Sequence, residues 1–214
     1  MTDADARAAW EERYGTAGVW TGKVNRHLAQ WLQDHPHVPI GAAIDMGCGE
    51  GGDAIWLASR GWRVTGVDFA QAAIDRARVA AQAARVHVEW VVADLRGWTT
   101  DQRADLVTVS FVHEALDIRT AVWRTAARAV ADSGTLLITG HAPDVEGAPG
   151  PPPASRFTAD EVLAVVGAQW SAEVREVRRD GIGRHAGHVV TDLVMSLTRE
   201  AATNSGDSYC DARL

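Results

Sequence analysis

Eight consecutive residues, Asp45-Met46-Gly47-Cys48-Gly49-Glu50-Gly51-Gly52, set two acids and four glycines between an apolar run, Ala42-Ala43-Ile44, and an apolar-periodic segment, Ala54-Ile55-Trp56-Leu57-Ala58. That order reads as strand, glycine-rich turn, helix. Glycine lets backbone approach a ligand closely and leaves helix N–H groups pointing at it. The expected result is a nucleotide-like pocket at the carboxyl end of a buried strand. Gly47, Gly49 and Gly52 satisfy the dinucleotide spacing G-x-G-x-x-G, while Asp45 with Gly47, Gly49 and Gly51 gives D-x-G-x-G-x-G. The glycines alone leave the ligand open.

Two more acids follow at the ends of apolar runs. Arg63-Val64-Thr65-Gly66-Val67-Asp68 is a short β-branched run closed by an acid, and the run from Val86 closes on Ala93-Asp94-Leu95. A carboxylate at the tip of the second strand can accept both hydroxyls of a ribose in either nucleotide class. A third acid at a third strand end is more than a ribose needs. It fits an adenine held at its exocyclic amine by Asp94, with the Leu95 backbone N–H facing the ring. The plainer alternative is an Asp94 that only caps a turn, where Asp is common.

The elements that must position these groups alternate along the chain. Asn25 is placed to cap a helix with Leu28, Trp31 and Leu32 on one apolar face. After the first three strands, Ala104 to Phe111 reads as a fourth strand, Ile118 to Val130 as a helix and Gly134 to Gly140 as a fifth strand. Strands alternating with helices imply parallel βαβ units, and the near-continuous apolar runs suit a sheet covered on both faces. Thr158-Ala159-Asp160-Glu161 has capping-box spacing. Trp170 to Val177 and His188 to Leu197 then read as two strands with no helix between them, an antiparallel hairpin. The fold class is therefore α/β, a doubly wound, mostly parallel seven-stranded sheet ending in that hairpin. One domain is expected over residues 1–199, with a helical cap at 1–38, a proline-rich loop at 143–156 suited to a lid, and a flexible tail at 200–214.

Composition narrows the partners. Formal net charge is −7, which disfavours a grip on nucleic-acid phosphates. No apolar run has membrane-spanning length, and no membrane partner is expected. The start, Met1-Thr2-Asp3-Ala4-Asp5, lacks the basic and apolar regions of a signal peptide, and the two cysteines, Cys48 and Cys210, form no disulfide framework. A cytoplasmic monomer or homodimer is the expectation. His35-Pro36-His37 has no companion cysteine or acid pair, and no metal site is expected.

Taken together, Asp45 to Gly51, Val67-Asp68, Ala93-Asp94-Leu95 and Gly134-Thr135-Leu136-Leu137 resemble, in order, the motifs of class I S-adenosylmethionine-dependent methyltransferases. A narrower similarity, to the small tellurite-resistance and thiopurine S-methyltransferase branch, rests on Trp10-Glu11-Glu12-Arg13-Tyr14, Val19 to Asn25 and Asp53 to Ala58. The resemblance implies S-adenosyl-L-methionine as cofactor, S-adenosyl-L-homocysteine as product and a small-molecule acceptor, with a thiol or chalcogen compound ahead of O- or N-acceptors. It implies a cofactor site formed by Trp20, Asp45, Gly47, Cys48, Gly49, Asp53, Asp68, Phe69, Asp94, Leu95 and Ser110. Enzymes that methylate nucleobase or glutamine amines carry Asn or Asp followed by Pro-Pro-Tyr after the fourth strand. Here that position reads Ser110-Phe111-Val112-His113, a departure that argues against such amines.

Methyl transfer from a sulfonium is an in-line displacement, so much of the catalysis can come from positioning. A thiol is partly ionised at neutral pH and needs little help, whereas a phenol or alcohol needs a base. His113, just past the fourth strand, is the first candidate base, and His141, just past the fifth, the second. The alternative for each is a histidine that only bonds backbone or cofactor. Tyr14, Trp20 and Phe111 could wall a cationic sulfur with aromatic faces. Two rivals share the glycine turn: a nicotinamide-dependent oxidoreductase and a module that binds the cofactor without catalysis.

Overall fold

The computed structural model describes residues 12, 22–143, 152–181 and 187–200. Tyr14, Trp20, the N-terminal helix expected before them, most of the proline-rich loop and the tail from 201 lie outside the described residues. The elements run α1 (Arg26–Asp34), β1 (Ala42–Met46), α2 (Gly52–Ala58), β2 (Arg63–Asp68), α3 (Gln71–Ala84), β3 (Glu89–Val92), β4 (Ala104–Ser110), α4 (Leu116–Ala129), β5 (Val130–His141), a 3-10 turn (Pro153–Ser155), α5 (Ala159–Val166), β6 (Trp170–Asp180) and β7 (Val189–Arg199).

One seven-stranded sheet has the order β3-β2-β1-β4-β5-β7-β6. The first five pair in parallel, and β7 inserts antiparallel between β5 and β6. The chain leaves β1 in one direction and returns through β4 in the other, so the crevice outside their carboxyl ends is the switch point where such sheets take ligands. The alternation of side chains along each strand splits the core. Met46, Val107, Leu136, Ile138, Met195 and Leu197 face α4 and α5, through Val122, Trp123 and Val162. Leu106, Leu137 and Val194 face the other way, against Leu28 and Trp31 of α1 and Leu57 of α2. Asn25 caps α1 by accepting from His27 N–H, and Thr158 with Glu161 closes a capping box on α5.

Three boundaries differ from the sequence expectation. β3 is only Glu89–Val92, because the flanks of its apolar run do not pair. β5 begins at Val130, with no loop after α4, and a register shift between Ala104 and Leu106 absorbs the extra residues. β6 runs through Asp180 because β7 offers it ladder partners as far as Val189.

Two glycines of the cofactor-like region serve packing. A Cβ on Gly66 would lie 2.5 Å from the Trp90 ring, and one on Gly51 would lie 2.6 Å from it. The Trp90 indole thus lies between the glycine turn and β2, where a methyl group has no room. Gly66→Ala is expected to cost about 1–3 kcal/mol of stability through overpacking. The denaturant midpoint checks it, and Gly66→Ala combined with Trp90→Leu should recover part of the loss.

Candidate cofactor and acceptor site

The glycine turn forms where β1 ends, with φ of 75° at Gly47, 51° at Gly49 and 83° at Gly51. These left-handed values are open to glycine and costly to other residues. The N–H groups of Gly47 and Cys48 donate to Val67 O at 2.8 and 3.1 Å, and Gly51 N–H donates to Cys48 O at 2.9 Å. Gly49 N–H donates to Asp68 Oδ2 at 2.9 Å, and Ala54 N–H, in the first turn of α2, donates to the Asp45 carboxyl. Contrary to the sequence expectation, these five N–H groups do not point at a ligand. They hold the turn to β2 and to two carboxylates.

Three acids gather beneath it. Asp45, Asp53 and Asp68 are all buried. Thr108 Oγ1 donates to Asp45 at 2.8 Å, and Ala70 N–H donates to Asp68 Oδ1 at 2.9 Å. Burial, with the charges of Asp53 and Asp68 adding to it, pushes the Asp45 carboxyl up to about 8. Burial also raises Asp53 above the usual carboxylate range. Cys48, buried in the same turn, has its thiol pushed well up by burial and by Asp45 and Asp68, so it is no thiolate nucleophile.

The other residues of the expected cofactor set divide by partner. Asp53 accepts from Asn25 N–H at 2.6 Å and from Ser110 Oγ at 3.2 Å, while Asn25 Nδ2 donates to Ser110 at 3.1 Å. Asp53 and Ser110 therefore pin the segment entering α1 across the start of α2. Lys23 O lies so close there that a Cβ on Gly52 would come within 2.8 Å of it. Leu95 is buried and lines the space beside Gly47, together with Val112. Phe69 is half-buried just past β2. Asp94 stands two residues past β3 with its side chain 51% exposed, held by the Arg96 guanidinium and by Arg96 N–H at 2.9 Å.

The acceptor side carries the two expected histidines, stacked with centroids 4.9 Å apart and planes 8° from parallel. Phe111, forced to φ 55° at the end of β4, sits with its ring 5.1 Å from His141 and 5.8 Å from His113. His113 Nε2 accepts the backbone N–H of His141 at 3.1 Å. Burial, then His141 and Arg156, lowers His113 to about 3. The lone pair that a base would use is taken, and its affinity for a proton is low. A neutral ring with its proton on Nδ1 satisfies this contact, an arrangement that disfavours the expected role of His113 as first candidate base.

Sequence reasoning missed Asp192 and Arg119. Asp192, fully buried on β7, binds His141 Nδ1 at 2.7 Å. Arg119, 3% exposed on α4, donates to Glu114 O at 3.0 Å, Ala154 O at 2.9 Å and Glu161 Oε1 at 2.9 Å, tying the residues after β4 to the turn before α5. The signal available for each was a charged residue inside an apolar run. A cavity of about 50 Å³ lined by His27, Trp31, Asp34, Glu173 and Arg175 is separate, and none of the three clustered acids borders it. Among the described residues no group of three or more His, Cys, Asp and Glu side chains could hold a metal ion, and no helix is long and apolar enough to cross a membrane.

The sheet order, the glycine turn and the acids at the strand tips define a class I methyltransferase-type domain. Residues 43–134 match the family described as methyltransferase domain. A solved structure from work on the conversion of a disulfide bond into a thioacetal group during echinomycin biosynthesis superposes with TM-score 0.73 at 22% identity, over 91% of this chain and 93% of that one. The N-methyltransferase NodS of Bradyrhizobium japonicum, in complex with S-adenosyl-L-homocysteine, gives 0.67 at 17% identity, over 90% and 97%. TehB of Haemophilus influenzae gives 0.67 at 14% identity, over 91% and 66%. These likenesses establish the fold. Nodulation protein S of Sinorhizobium fredii is 35% identical over 88 residues, 39% of this chain and 40% of its own length, so the match spans less than half of that relative.

The acid cluster has a pH signature. Asp45 folds with its carboxyl at about 8, far above its unfolded value. Its contribution to stability is therefore full below about pH 4 and lost as pH rises through about 8. The ligand-free protein should lose melting temperature between about pH 4 and 8, and Asp45→Asn should flatten that slope. Differential scanning calorimetry across this range checks both.

Proposed function

We propose that this chain is an S-adenosylmethionine-dependent methyltransferase acting on a small molecule, with a thiol or related chalcogen compound as the favoured acceptor. The observation that carries the cofactor assignment is the cluster of Asp45, Asp53 and Asp68 under a turn whose N–H groups are already spent. A dinucleotide brings a pyrophosphate that needs such N–H groups, and carboxylates repel it. S-adenosylmethionine brings an ammonium and a sulfonium, and like-charged buried carboxylates favour that charge. When bound, the cofactor supplies a methyl group on a sulfonium, which is a good leaving group. Asp68 would hold the ribose hydroxyls, and Asp94 the adenine amine beside Leu95. Phe69 borders the same strand tip. Asp53 and Ser110 act one step back by fixing the segment that leads to Trp20.

The acceptor pocket lies past β4 and β5, where Phe111, His113 and His141 form an aromatic wall. A soft, readily ionised acceptor suits a wall whose first histidine stays neutral. The disulfide-to-thioacetal context of one structural neighbour supports sulfur, and the Ser110-Phe111-Val112-His113 departure supports it against nucleobase and glutamine amines. N-methylation is the second choice, favoured by the likeness to NodS.

Calorimetric titration should show S-adenosylmethionine and S-adenosylhomocysteine binding and NAD failing to bind; NAD binding alone would overturn the assignment. Asp68→Ala should weaken cofactor affinity about 10- to 100-fold, the loss expected when charged hydrogen bonds to a ligand are removed. A mass-shift screen of thiols, phenols and amines then ranks the acceptors, with the methylated thiol expected to form fastest.

A further inference from the structure

The outer edge of the sheet is a long strand with exposed side chains. β6 has 11 residues, pairs with β7 along its whole length without a register shift, and stands last in the strand order. No strand among the described residues pairs with its far edge. From Ser171 to Glu176 every side chain is exposed, and Val174 is 43% exposed. Strand edges that stay single are blunted by shortness, proline, bulges or unmatched charge. The opposite edge is blunted in this way, since β3 has only 4 residues. β6 contains no proline, no lysine and no bulge. Its stretch Glu173-Val174-Arg175-Glu176-Val177-Arg178 carries equal numbers of acids and arginines, interleaved with valines.

We infer that the free edge of β6 pairs with the same strand of a second copy of this chain, antiparallel about a two-fold axis beside Val174. A two-fold axis that continues a sheet stands perpendicular to it, so facing residues lie on the same face. Side chains alternate between faces along a strand, which puts the axis beside a residue and leaves few registers. Centring on Glu173, Arg175 or Glu176 sets that charge against its own copy. Centring on Val177 sets Arg175 against the partner's Arg179. Centring on Val174 opposes no like charges and keeps a ladder over 170–178. Val174 then meets its own copy, and Glu173 meets the partner's Arg175 on both sides of the axis. Glu176 faces the partner's Ala172, and Arg178 faces the partner's Trp170.

The charges nearest the axis are already in place within one copy. Arg175 Nε and Nη2 bond Glu173 Oε1 at 2.8 and 2.6 Å, and Nη1 bonds Asp34 of α1 at 3.1 Å. His35 Nε2 lies 3.6 Å from Glu173 Oε2. Pairing two copies sets two Glu173–Arg175 pairs head to tail, four charges of alternating sign. Such a network is worth more than isolated surface pairs. The formal net charge of −7 on each copy opposes association elsewhere, so a strip of balanced charge is where two copies can meet. The crevice beside β1 and β4 stays clear, because β5 and β7 separate it from β6. A strand ladder buries less than the about 1,600 Å² of a standard interface, so dissociation in the micromolar range is expected.

Two measurements on the full chain test this. In sedimentation velocity from about 1 to 300 μM, a range that brackets such an interface, the mass should rise from 23.0 kDa toward twice that value. Glu173→Arg alone and Arg175→Glu alone should each weaken self-association about 10-fold or more, because each turns both axis pairs into like charges. Mixing the two variants should restore association, since the mixed dimer again opposes unlike charges in both places. Thermal melts of each variant check that the fold persists. A chain that stays monomeric throughout, single variants that associate as before, or a mixture no better than its components would each overturn the proposal. The second measurement reads the register. In a Cys210→Ser background with copper phenanthroline as oxidant, Val174→Cys should form an intermolecular disulfide, because facing residues of an antiparallel pair lie within its reach. Glu176→Cys should not. Linking through Glu176→Cys as readily as through Val174→Cys would defeat the register on which the charge argument stands.

Discussion

The constraint on which the site depends is the burial of like charges. Asp45, Asp53 and Asp68 lie together under one glycine turn, buried and hydrogen-bonded. Burial first, then the charges of Asp53 and Asp68, raises Asp45 to about 8. Such a setting is predisposed to positive charge. A cationic ligand relieves the repulsion, and the backbone N–H groups that would favour an anion are turned inward.

That inward turn follows from local geometry. Gly47 and Cys48 share Val67 O because β1 and β2 are register partners at Met46 and Val67, which brings the end of β2 directly beside the turn. Gly49 then reaches Asp68, one residue on. The Trp90 ring wedges against Gly51 and Gly66 and keeps the turn pressed to β2. Rigidity here comes from packing and backbone pairing rather than from a bound group, so the carboxylates stand preorganised for charge.

Much of the architecture was legible because hydrophobic period and turn chemistry agree along the chain. Continuous apolar runs marked the buried parallel strands, Asn25 and Thr158 marked helix starts, and the absence of a helix between the last two runs marked the hairpin. Strand ends were less legible, since ladder partners decide them: β5 starts at Val130 because Ala104 is there to pair with it. The acids of the cofactor site were legible by position alone, at strand tips. Their division of labour was not. Asp53, expected among the cofactor residues, meets Asn25 N–H, and His113, expected as a base, meets the backbone N–H of His141, contacts that no local pattern announces. Asp192 lay beyond reach altogether. It stands 165 residues from His27 and 51 from His141, inside an apolar run whose own period gives it no role.

The contrast between the two histidines shows why residue type and position under-determine chemistry. Both stand at the carboxyl ends of strands on the same rim, His113 past β4 and His141 as the last residue of β5, both are largely shielded from water, and their rings lie parallel. What separates them is which nitrogen is spent and on what. A backbone N–H donated to His113 Nε2 consumes the lone pair and adds no negative charge, so burial prevails and the ring stays neutral. A carboxylate accepting from His141 Nδ1 sets a negative charge beside that ring instead. Antiparallel insertion of β7 beside β5 creates that difference, because it brings Asp192 across from His141 and leaves His113, beyond β4, out of its reach. The hairpin that closes the sheet therefore also decides which partners the rings on its rim meet.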